Sequence, residues 1–180
     1  RRLEGHHYAN LFSDSHDVGS YVADNLKVLR SRTLKFQRSF FDSTAADYVL
    51  DQINSHLNTF ITSAWYTKGG DFGIQEGMTD DRAWGPLATI DVSLYGAVPT
   101  ATLFPDLDKS ALRAHARLQT KNGIIGHGID RNFGAVDTSE AVGGRLDLPP
   151  QFVLLVMRGA FWSHDTEYLR EMWPHITRAL

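Results

Sequence analysis

The chain has 180 residues, 42% apolar and 22% charged, which is enough to bury one core of ordinary size and unlike a disordered segment. A net charge of −3 with no basic block argues against a nucleic-acid partner, and no apolar run is long enough to predict a transmembrane segment. There is no cysteine, so disulfides and thiolate metal sites are excluded; with no visible signal peptide, this leans towards a cytoplasmic location.

From Ser13 the spacing predicts a long helix, with Val18, Val22, Leu26, Leu29, Thr33, Phe36 and Phe40 on one stripe and Ser13 or Asp14 as its cap. Asp42-Ser43-Thr44 breaks it. A second helix follows with Val49, Ile53, Leu57, Phe60 and Ala64 on one face, giving an antiparallel helical hairpin. The period then changes. Trp65–Thr67 and Phe72–Ile74 flank Lys68-Gly69-Gly70-Asp71 and predict a small β-hairpin. Residues 75–89 read as a loop. A helix is expected from about Asp91 to Leu103, bent at Pro99, and another restarts at Pro105 with Leu107, Ala111, Ala114 and Leu118.

Residues 120–147 hold six glycines and little apolar periodicity, and a loop this long is often functional. Pro149-Pro150 opens a helix containing Phe152, Val153, Val156 and Phe161. Asp165 is the expected cap of the last helix, with Leu169, Met172, Trp173 and Ile176 buried. The fold class expected is therefore all-α, about six helices in an α/α arrangement with long loops and one small hairpin. The chain opens on Arg1-Arg2 and closes within a helical pattern, so both ends read as cut from a longer domain.

Carboxylates gather in the loops. Glu76 precedes a glycine; Asp80, Asp81 and Asp91 follow, with Trp84 among them; and the glycine-rich loop adds His127, Asp130 and Arg131. Carboxylates beside an aromatic face suit sugar binding, and glycoside hydrolysis needs a carboxyl pair. Each residue also has a plain reading. Glu76 would be a surface charge, Asp91 a helix cap, His127 an exposed loop histidine and Trp84 a core plug. The eight histidines show no metal-binding spacing, and no phosphate loop, dinucleotide fingerprint or serine elbow occurs, so no metal or cofactor is expected.

Several strings occur in a telling order: Leu11-Phe12-Ser13-Asp14-Ser15, Phe72-Gly73-Ile74-Gln75-Glu76-Gly77, Thr89-Ile90-Asp91-Val92-Ser93-Leu94-Tyr95-Gly96 and Leu103-Phe104-Pro105-Asp106-Leu107. Asp147-Leu148 with Phe152-Val153-Leu154, and Tyr168-Leu169-Arg170-Glu171-Met172-Trp173-Pro174, continue the series. Together they resemble the catalytic domain of the non-lysosomal glucosylceramidases, glycoside hydrolase family 116. The resemblance implies a retaining β-glucosidase built on an (α/α)₆ barrel, of which residues 1–180 would be a partial catalytic domain. It implies that Glu76 is the nucleophile, that Asp91 hydrogen-bonds glucose hydroxyls and that His127 contacts the sugar. The family precedes that histidine with proline and follows it with aspartate. Gly126 and Gly128 stand there in this chain, a departure that bears on substrate preference. The stretch from Met78 to Leu87 is longer than in the animal enzymes. The family's acid/base aspartate would lie beyond Leu180, so the chain alone is expected to be inactive and to need the rest of its domain. The expected partner is a β-glucoside or glycolipid substrate. A non-catalytic carbohydrate-binding domain and a helical protein-binding scaffold remain the alternatives.

Overall fold

Asp14 starts the first helix as its residue type predicts. In the computed structural model, which describes residues 5–76, 85–136 and 145–180, its backbone is extended and its carboxylate accepts from the Asp17 amide at 2.9 Å. Asp17 answers by accepting from the Ser13 amide and hydroxyl at 3.0 and 3.2 Å, a reciprocal cap of about 1 kcal/mol. The helix it opens, α1 (Ser15–Phe41), belongs to a compact unit of residues His7–Thr62, with a 3₁₀ turn (His7–Asn10), α2 (Asp47–His56) and α3 (Thr59–Thr62). α2 packs against α1 and buries Leu50. The apolar stripe of α1 is solvent-exposed at Val18, Val22, Leu26 and Phe36. The second helix does not continue to Ala64 as expected. It stops at His56, before Asn58, a weak helix former, and Ala64 lies in a strand.

The second unit runs from Ser63 to Leu180 and includes Gly5 and His6. β1 (Ala64–Tyr66) and β2 (Phe72–Ile74) form the expected antiparallel hairpin, in the register Ala64↔Ile74, Trp65↔Gly73 and Tyr66↔Phe72. The single helix expected over Asp91–Leu103 is two: α4 (Ile90–Gly96) and α5 (Val98–Leu103), separated at Ala97. Proline has no N–H for an interior bond, so Pro99 begins a new helix rather than bending an old one. α6 (Pro105–Leu118), α7 (Leu148–Ser163) and α8 (Thr166–Ala179) follow. Asp165 caps α8 as expected, accepting from the Tyr168 amide at 2.9 Å.

α6 is apolar on two sides. Leu112 and Ala116 enter a cluster with Ile90, Phe152, Val156, Tyr168, Met172 and Ile176. Ala114 enters a smaller one with Leu87, Ala88, Ile129 and Phe133. The 168, 172, 176 spacing puts one stripe of α8 in the core, where fully burying a side chain such as Met172 contributes about 1.5–3 kcal/mol. Trp173 was expected in the core and is not: it falls off that stripe and is 53% exposed. Leu169 is half-buried at the edge of the cluster. The described residues are mainly helical, and among them no helix is long and apolar enough to cross a membrane.

Candidate functional site

The residues after β2 stay extended. The Gln75 amide donates to the Ser63 carbonyl at 2.8 Å, prolonging the hairpin by one rung. On its other side this segment meets residues 86–88: the Glu76 amide donates to Pro86 at 3.3 Å, and the Ala88 amide to Ile74 at 3.0 Å. Leu87 and Ile129 exchange two backbone bonds, 2.8 and 2.9 Å, and Ile129 bridges to Val136. Five short extended segments therefore lie side by side. The parts of the expected loops at 75–89 and 120–147 that are described carry ordered backbone pairing, which buries Leu87 and Ile129 completely.

This ladder carries Glu76 and leads into the segments that hold Asp91 and His127. Glu76 is half-buried at the end of the first segment, and its Oε2 is buried with no hydrogen-bond partner among the described residues. Asp91 lies in the first turn of α4. Thr89, not Asp91, is the cap residue of that helix. His127 is tied to the same helix start, because its carbonyl accepts from the Ile90 amide at 2.9 Å. Its side chain is 10% exposed, not the exposed loop histidine of the plain reading.

Nε2 of His127 lies 2.8 Å from Asp91 Oδ1. A carboxylate only accepts, so this nitrogen carries the proton and donates. Arg145, which the sequence did not single out, donates from Nη2 to Asp91 Oδ2 at 2.8 Å and to Asp147 Oδ2 at 3.0 Å. Its Nη1 packs 3.0 Å from the protonated nitrogen of His127. Partial burial pushes the Asp91 carboxyl up, but the hydrogen bonds and charges of His127 and Arg145 outweigh it and hold the group below its ordinary range. Asp91 is therefore an anion at neutral pH. The hydrogen bond from Arg145 likewise holds Asp147 low.

The glycines around His127 have a steric reason. A Cβ on Gly126 would sit 2.4 Å from Val136 Cγ1, and one on Gly128 would sit 2.5 Å from Pro86 Cβ. The proline and aspartate of the resembled family would not fit this packing. Asp130 and Arg131 do not join the cluster as described. Asp130 accepts from the Gly134 and Ala135 amides at 2.8 and 3.1 Å and closes a turn, and Arg131 reaches the Gly85 carbonyl at 3.4 Å. Asp80, Asp81 and Trp84 lie outside the described residues.

Chemically, the arrangement offers one carboxylate with an unused buried oxygen, and one ionised carboxylate whose histidine and arginine partners fix its orientation. Asp91 Oδ1 also accepts from the Val92 amide at 3.0 Å and is filled, whereas Oδ2, bonded to Arg145, keeps a second lone pair for a ligand hydroxyl. The sequence matches no protein-family model and no curated protein.

Proposed function

We propose that the chain is part of the catalytic domain of a retaining β-glucosidase of the glucosylceramidase type, with the helices as part of an (α/α)₆ barrel and Glu76 as nucleophile. The observation that carries this reading is the Glu76 carboxylate. It is half-buried, with an unpartnered oxygen, on the ladder whose 86–90 segment leads into Asp91 and bonds the His127 carbonyl. Leaving a buried carboxylate oxygen unsatisfied is costly and calls for an explanation, which an incoming sugar would supply. In the proposed mechanism Glu76 attacks the anomeric carbon to form a glycosyl-enzyme. Asp91 accepts hydrogen bonds from ring hydroxyls, and His127 orients it. An acid/base carboxyl roughly 5–5.5 Å from Glu76 protonates the leaving oxygen and then activates water. The reading assigns that carboxyl to sequence C-terminal to Leu180.

The test is Glu76→Gln in the full-length protein, assayed on an aryl β-glucoside. Activity should fall by about 10³-fold or more, and a near-wild-type rate would refute the assignment. One observation favours the second reading, a carbohydrate-binding domain without turnover: Arg145 already occupies Asp91 Oδ2. Glucose binding that survives Glu76→Gln, in a protein with no activity before the change, would support that reading instead.

A further inference from the structure

A buried histidine on α6 has no part in the mechanism above. His115 is 1% exposed, and its Nε2 lies 2.7 Å from the carbonyl oxygen of Ala88. A carbonyl only accepts, so Nε2 carries the proton. Burial pushes the imidazole down to about 4, which keeps the ring neutral and the tautomer fixed near pH 7. Ala88 has φ +52°, a left-handed backbone that alanine adopts only when its surroundings impose it. Residues flanking Ala88 form the hub of the ladder. Pro86 accepts from the Glu76 amide, Ala88 donates to Ile74, Leu87 pairs with Ile129, and Ile90 donates to the His127 carbonyl. The Ala88 turn therefore sets where Glu76, Asp91 and His127 stand relative to one another, and His115 is the side chain hydrogen-bonded to it.

We propose that His115 is a positioning residue for this site: its Nε2–H clamps the left-handed Ala88 and so keeps Glu76 in register with Asp91 and His127. Its kinetic consequence rests on the reading of Glu76 as nucleophile; its structural consequence does not. Two variants in the full-length protein separate the donor from the bulk. Glutamine at position 115 can return an N–H near the place of Nε2, whereas leucine fills the volume without a donor.

In His115→Leu, hydrogen exchange at the Glu76, Ala88 and Ile90 amides should be about tenfold or more faster than in His115→Gln, with α7 amides alike in both. On an aryl β-glucoside, kcat should fall roughly 100-fold in His115→Leu and stay within about fivefold of wild type in His115→Gln, since a small misplacement of reacting groups costs that much. Merely filling the core would be served as well by leucine as by glutamine. Should His115→Leu not fold, His115→Asn, whose amide nitrogen stops short of the Ala88 carbonyl, takes its place. Equal exchange in the two variants overturns the clamp, as does wild-type kcat in the donorless one when Glu76→Gln abolishes activity. A clear exchange difference together with an active Glu76→Gln enzyme would leave the clamp standing and remove the nucleophile reading alone.

Discussion

Two aspartates of the same unit each touch an arginine, yet their carboxyl groups are shifted in opposite directions. Asp108 on α6 meets Arg158 of α7 at 3.2 Å with its side chain 5% exposed, and burial pushes its carboxyl up to about 6 although Arg158 and Lys109 pull it down. Asp91 meets Arg145 at 2.8 Å and His127 at 2.8 Å with its side chain 30% exposed, and its partners hold it low. The chemical ingredients are alike and the water is not. Removing a carboxylate from solvent costs more than one nearby cation returns, whereas partial solvation lets hydrogen bonds decide. The first pair is structural: Arg158 also donates to the Ser93 and Leu94 carbonyls at 3.0 and 3.2 Å, tying the end of α4 to α7. The second keeps an anion charged, oriented and within reach of solvent, as a ligand-binding carboxylate must be.

Removing the cation from each pair breaks the comparison most strongly. Arg158→Leu leaves Asp108 buried without its partner and should cost about 3–5 kcal/mol in urea unfolding. Arg145→Met acts at a partly solvated pair and should cost no more than about 1 kcal/mol. Equal losses would mean that burial does not separate the two sites.

A smaller effect sharpens the same point through pH. Asp108 has a raised folded-state pKa, so the folded protein holds its proton more tightly. Its contribution to stability falls as pH rises from about 4 to about 6. His115 has a folded-state value lowered to about 4, so the unfolded chain binds the proton more tightly. Its contribution rises with pH from about 4 to 6.5. Each shift corresponds to roughly 3 kcal/mol, with opposite signs, so the two nearly cancel in the wild type. Asp108→Asn should therefore gain stability on going from pH 4 to pH 6.5, and His115→Gln should lose it. Denaturant midpoints measured across that range, moving in parallel for both variants, would contradict the account.

Much of the helical framework was legible because its signals are local. Asp14 and Asp165 are caps by residue type, Pro105 and Pro149 start helices, and the glycine-flanked hairpin lies where the period changes. The errors came where a local pattern ran through a break. Apolar spacing continued past Asn58 and across Ala97, but an asparagine in one case and a proline without its N–H in the other ended the helix. Trp173 is as apolar as its neighbours, but its place on the wheel, off the 168, 172, 176 stripe, leaves it exposed.

The site was legible only in part. Glu76, Asp91 and His127 were singled out by resemblance, and no spacing rule links Asp91 to His127 across 36 residues. Arg145, 54 residues from Asp91, and His115, 27 from Ala88, gave no signal at all, because their partners are brought to them by backbone pairing between loop segments. A carbonyl partner such as that of Ala88 is invisible in sequence, since every residue has one.

If Glu76 forms the covalent bond to the sugar, that bond can be trapped. A 2-deoxy-2-fluoroglucoside with a good leaving group, incubated with the full-length protein and followed by peptide mass analysis, should leave one fluoroglucosyl adduct on the peptide containing Glu76, and none in Glu76→Gln. An adduct on any other carboxylate, or turnover of β-glucosides by the Glu76→Gln protein, would contradict the nucleophile assignment.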